Sequence, residues 1–194
     1  MAAGVTSNRV VRGTTTALAA VAAVAGIAVL ASILAGCGVA AIRASSAPGP
    51  TSAAGSYPPA VSDTRRLVVD ALGQAGLTLQ DANQPFRPPE APSMVGAARG
   101  IFQVVLPDDP VHGYLVVYAF RDAATAATAA HDEATYLGSG PGRIQLPPDA
   151  QSLLRQVDTT VIAYSWSPAN STDARAGAIA TALATVGLEV PIPR

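Results

Sequence analysis

Asp108, Asp109 and His112 lie within a few positions of one another, and together they offer one imidazole nitrogen and two carboxylates, a donor set that can hold a divalent cation. Their spacing fits no established metal motif, and with Pro107 and Pro110 around them they read equally as a solvated turn with a histidine at a strand edge. His131, Asp132 and Glu133 form a second cluster. Neighbours on a helix point about 100° apart, and His131 has no ligating partner three or four positions away, so this group does not converge. Gly138-Ser139-Gly140-Pro141-Gly142-Arg143 combines glycines with a guanidinium. It follows a helical pattern instead of leading from a strand into a helix, which is the wrong order for a phosphate cradle. Ser139 has no Gly-x-Ser-x-Gly elbow around it. All 12 basic residues are arginine, which excludes a Schiff-base lysine and a P-loop lysine together. The 13 acidic residues leave a glycosidase-type carboxylate pair unconstrained. No metal site and no cofactor is implied. Phe102, Tyr114, Tyr118, Tyr164 and Trp166 fall on strand patterns and read as core.

The single cysteine, Cys37, excludes an internal disulfide and a cysteine-based zinc site. Its surroundings give it another chemistry. Arg9 and Arg12 precede an uncharged run, Ala17 to Ala35, built only of Ala, Val, Leu, Ile, Gly and Ser. As a helix that run would span roughly 28 Å, close to the hydrocarbon thickness of a bilayer. It ends in Leu34-Ala35-Gly36-Cys37, which resembles the lipobox of bacterial lipoproteins, with a branched apolar residue at −3, small residues at −2 and −1, and cysteine at +1. The resemblance implies that the Cys37 thiol takes a diacylglyceryl group, that a signal peptidase recognises Leu34, Ala35 and Gly36 and cuts after Gly36, and that the new amine takes a palmitate-type acyl chain. Two or three acyl chains give stable attachment where one gives only marginal binding. The expected partner is therefore the lipid bilayer, reached through acylated Cys37, and the expected place is the outer side of the bacterial cytoplasmic membrane or the cell envelope. An uncleaved signal anchor that crosses the membrane once is the alternative.

Residues 1–36 thus read as a signal peptide and 37–60 as a lipidated cysteine followed by a disordered tether. Gly38 to Ala60 contains seven Ala, four Pro, four Ser and three Gly, too little bulky apolar surface to fold. A flexible coil of that length has an end-to-end distance of roughly 26 Å. The formal charge of the whole chain is −1. Loss of Arg9 and Arg12 with the signal leaves ten arginines against 13 acids, a side-chain charge of −3, and nucleic-acid binding is not expected.

Residues 61–194 read as one α+β domain. Ser62 is a candidate N-cap for a helix carrying Leu67, Val68, Ala71, Leu72 and Ala75, closed by Gly76. Leu77 to Gln80 alternates as a short strand, and Gln84 to Pro89 is too proline-rich for a regular element. Ile101 to Leu106 and Val111 to Phe120 make a hairpin about Pro107-Asp108-Asp109-Pro110. The second of these strands is apolar on both faces, which predicts a central place in the sheet. Asp122 caps an alanine-rich helix from Ala123 to about Tyr136, a short strand is predicted at Arg143 to Leu146, and Thr159 to Trp166 is a further strand. A last helix begins near Asp173 and carries Ile179, Leu183 and Val186 up to Gly187. The order α-β-β-β-α-β-α favours a two-layer domain with helices mainly on one face of an antiparallel sheet, and a ferredoxin-like plait is the second choice.

The whole pattern is similar to a group of small uncharacterised bacterial lipoproteins with a lipobox, a loose linker and one domain. The matching residues are Leu67 to Gly76, Gln84-Pro85-Phe86, Val117 to Ala124, and Val161 to Tyr164. This resemblance implies fold and location and transfers no catalytic residues. The sequence thus points to a non-enzymatic binding or interaction module that takes an envelope protein or a small ligand; the competing reading is a surface hydrolase whose site forms only in three dimensions.

Overall fold

The computed structural model describes residues 56–193; the expected signal peptide, Cys37 and the tether as far as residue 55 lie outside the described residues. Helix α1 spans Pro59–Gln74 with Pro58 as its N-cap and a proline at its first turn, so it begins earlier than Ser62. A proline costs nothing there, because the first helical N–H groups lack intrahelical acceptors in any case. The helix turns Val61, Thr64, Val68, Ala71 and Leu72 inward, whereas Leu67 points outward and is 47% exposed. Gly76 follows the C-cap in the left-handed region at φ 70°, as expected of a helix stop. Tyr57 packs against the Phe102 ring at 5.0 Å between centroids, so chain assigned to the tether already belongs to the fold.

Strand β1 (Leu79–Asp81), the short helix α2 (Pro92–Val95), β2 (Ala98–Val104), β3 (Tyr114–Ala119) and α3 (Ala123–Gly138) follow in turn, and then α4 (Gly140–Arg143), β4 (Gln151–Val157), β5 (Thr160–Trp166), α5 (Ala176–Leu183) and β6 (Leu188–Glu189). The strands form one six-stranded sheet in the order β1-β2-β3-β5-β4-β6, antiparallel at every pairing. The α+β class therefore holds, and the ferredoxin-like order does not.

The two-layer expectation is corrected: helices cover both faces. Strand β3 places Leu115 and Val117 in one core, with Phe102, Ile162, Tyr164 and residues of α1 and α5. It places Val116 and Tyr118 in the other, with Met94, Leu154, Val161 and the alanines of α3. The topology gives the reason. Strands β3 and β4 are parallel with β5 between them and are joined through α3, while β5 and β6 are parallel with β4 between them and are joined through α5. Both crossovers move the same way across the sheet but start from oppositely directed strands. A common hand then requires their helices on opposite faces. Ala126, Ala129, Ala130 and Ala134 let α3 lie close on its face, and Asp122 caps it by accepting from the Thr125 N–H at 2.7 Å.

Three further elements depart from expectation. Arg143 to Leu146 is not a strand, because Pro141 and the turn bonds from Ile144 N–H to Gly140 O and from Gln145 N–H to Gly142 O wind it helically. Strand β4 carries no clear period in the sequence, because Leu153 and Val157 alternate with Ser152 and Gln156 but share their own face with Gln151 and Arg155. The residue pair Leu188–Glu189 is too short for its period to be read.

Candidate functional site

The residues singled out for metal chemistry are only partly brought together. Asp109 is 2% exposed and meets His112 Nδ1 at 2.5 Å. Its other oxygen accepts from the Thr172 N–H at 3.1 Å. Asp108 turns elsewhere: its carbonyl accepts from Thr172 Oγ1 at 2.5 Å, and its N–H donates to Asp173 at 3.4 Å. Asp173 in turn is held down to about 2, chiefly by the hydrogen bond from the Arg175 guanidinium. Gln103 donates to the carbonyls of Pro110 and His112 at 2.9 and 3.0 Å. These bonds stitch the β2–β3 connection to the loop before α5, so Asp109 acts as a clamp. Among the described residues no group of three His, Cys, Asp or Glu side chains could hold a metal ion. A buried aspartate on a histidine Nδ1 is also how a general base is oriented, but among the described residues no hydroxyl or thiol bonds the other ring nitrogen.

His131 and Asp132 lie exposed on α3 while Glu133 is buried, as helical divergence requires. The Gly138–Arg143 segment is a packing corner. A Cβ on Gly142 would fall 2.1 Å from the Tyr136 carbonyl oxygen, and Ser139 Oγ accepts from the Gly142 N–H at 3.3 Å. Of the aromatic set, Phe102, Tyr114, Tyr118 and Tyr164 are buried core residues.

The sequence reading missed a buried carboxylate pair. The connection before α2 sends Glu90 down beside β2 and β3, where its side chain is 2% exposed and pairs with Arg99. The Tyr118 hydroxyl donates to it at 2.6 Å, and Arg87 approaches the other oxygen at 3.5 Å. That second oxygen accepts no hydrogen bond. Glu133 on α3 accepts at 2.6 Å from the N–H of Ala91, the residue that follows Glu90. Burial pushes its carboxyl up to about 7, partly offset by the Ala91 bond and reinforced by the charge of Glu90. Burial and the bond to Glu90 likewise raise the Tyr118 phenol. The group pins the Gln84–Ala91 strap to the sheet, helped by Phe86 stacked on Tyr114 at 4.7 Å.

The open space lies elsewhere. Trp166 ends β5, half-buried and stacked on Tyr164 at 5.2 Å. It borders two clefts of about 870 and 660 Å³ that share Gln151, Trp166 and Ala184 as lining. The larger runs along the first half of β4, with Leu137, Leu146 and Ile192 on one side of the sheet and Trp166 and Ala184 on the other. The smaller continues over α5 past Ala176, Gly177 and Ala180. Alanine and glycine on α5 leave this room. Neither cleft is lined by His112, Asp109, Glu90 or Glu133. Trp166, which its strand pattern assigns to the core, is thus only partly buried and borders open space.

Among the described residues no helix is long and apolar enough to cross a membrane. Comparison of the chain with family models, curated proteins and solved structures finds no match.

Proposed function

We propose that this chain is a bacterial lipoprotein, held at the outer side of the membrane by acylated Cys37, whose α+β domain is a non-enzymatic binding module that takes its ligand in the joined clefts around Trp166. The observation that carries the binding reading is the size and lining of those clefts. Their volumes fall in the range of ligand sites, and their walls mix apolar side chains such as Leu137, Leu146, Trp166 and Ile192 with polar ones such as Arg143, Gln151 and Glu189. The lipobox-like Leu34-Ala35-Gly36-Cys37 carries the anchoring reading. The titratable clusters are built as clamps between loops and support adhesion of the fold more than a reaction.

Two variants of the full-length chain test the reading in its own membrane. Cys37→Ser is expected to accumulate unprocessed and without lipid, and mass spectrometry reads this directly; lipid-free parent that starts at Met1 contradicts the anchor. Ala184→Arg introduces a long side chain at an exposed position shared by both clefts. A partner or ligand co-purifying with the parent is expected to be lost with this variant, and equal recovery from both contradicts the cleft.

A further inference from the structure

The larger cleft contains an unfinished sheet edge. Val157 and Thr160 face each other across the two-residue turn Asp158–Thr159, with Asp158 at φ 48°, so they form the narrow hydrogen-bonded pair that closes the hairpin. Alternation then directs the N–H and C=O of residues 151, 153, 155 and 157 toward β5, and those of residues 152, 154 and 156 outward. Strand β6 pairs with Arg155 and Gln156 only, and the Val190 N–H adds one bond to the Leu154 carbonyl at 3.1 Å. Pro191 follows and has no N–H to offer. The chain then turns aside, so that Pro193 O lies against Gly138 and accepts from Arg143 at 3.5 Å. The N–H and C=O of Ser152 and the N–H of Leu154 are left without a main-chain partner among the described residues.

We infer that this edge accepts an extended peptide segment of another envelope protein, which adds as a strand beside Gln151–Leu154. The inference rests on the binding reading above and names its ligand class. Main-chain bonding to Ser152 and Leu154 gives affinity, and alternate side chains of the added strand meet the two sides of the cleft. One set faces Trp166 and Ala184, and the other faces Leu137, Leu146 and Ile192. Both sets are therefore apolar near the middle of the segment. Arg143 lines the same cleft and donates to the Pro193 carbonyl but to no carboxylate among the described residues, so an acidic side chain on the α4 side completes the match. A second copy of this chain fits less well. The edge is recessed between α4, the tail and α5, which admits one strand more readily than the broad edge of another sheet.

The test pans a random heptapeptide library on phage against the full-length chain in detergent micelles, followed by titration of the enriched peptides using the emission of Trp166, the only tryptophan. Enrichment of alternating apolar sequences carrying Asp or Glu is expected. Ser152→Pro removes an outward N–H, a substitution that an edge strand tolerates, and is expected to weaken binding at least tenfold. N-methylation of alternate amides in the peptide should do the same with no change to the protein. Arg143→Glu should shift the preference from acidic to basic peptides. Peptides that bind the parent and Ser152→Pro alike, and survive N-methylation, but are lost with Ala184→Arg would overturn strand addition and leave the cleft as the ligand site. Failure to enrich any peptide on the parent would overturn the peptide class, while the co-purification test of the cleft would stand separately.

Discussion

Replacement of Glu133 by glutamine should change how stability depends on pH. The Glu133 side chain is buried on α3, and burial raises its carboxyl from an ordinary 4.5 to about 7. The folded protein thus holds this proton more tightly than the unfolded chain does. Below about pH 4.5 both states are protonated and the group contributes nothing through ionisation. Between the two values the unfolded chain ionises first, so stability falls as pH rises. Above about pH 7 the loss is complete, and at about 1.4 kcal/mol per tenfold change in proton affinity it amounts to about 3 kcal/mol for the interval of 4.5 to about 7. Glutamine keeps an oxygen for the Ala91 N–H and carries no charge beside Glu90. Urea unfolding of the full-length chain, followed by Trp166 emission, should show parent and Glu133→Gln nearly equal near pH 4.5. By pH 8 the variant should be ahead by up to about 3 kcal/mol. A difference that stays constant from pH 4.5 to 8 would refute the reasoning, because it would mean that Glu133 ionises alike in both states.

Tyr118→Phe removes the hydroxyl that donates to buried Glu90 and should cost roughly 1.5–3 kcal/mol in the same unfolding assay, the range for a bond to a charged group. Gly187→Ala should cost more than about 1 kcal/mol, because φ there is +63° and a Cβ would fall 2.2 Å from the Gln156 carbonyl oxygen; circular dichroism melts would show it. Asp109→Ala strips a buried acceptor from the Thr172 N–H and from His112, so hydrogen exchange across residues 167–175 should quicken, with a stability loss of roughly 1–3 kcal/mol. Leu115→Ala opens a cavity at a fully buried position and should cost roughly 2–5 kcal/mol.

Elements with a clean period and a clear stop were legible in the sequence. Strands β3 and β5 showed their two faces, α3 announced itself through the Asp122 cap, and α5 through Ile179 and Leu183. Layering was not legible, because alanine on α3 and α5 is as compatible with an exposed face as with a close-packed one. Strand β4 hid its period behind Arg155, which is buried by bonding to the carbonyls of Val186 and Gly187 at 2.8 and 2.6 Å. The site was harder still. Asp109 and His112 are close in sequence and do meet, but they serve a loop. Glu90 and Glu133 are 43 positions apart and are brought together only by the fold, through the bond from the Ala91 N–H to Glu133 on α3. The Trp166 clefts depend on what α5 lacks in bulk and on where Pro191 turns the tail away, and neither has a local signature.

A photoreactive amino acid at position 151, which lines both clefts and is exposed, gives the most direct test of the binding claim in membranes of the native host. The account predicts a discrete adduct to a polypeptide at residue 151, abolished by Ala184→Arg and absent when the same group replaces exposed Val111. Equal labelling at both positions, or an adduct indifferent to Ala184→Arg, would contradict it.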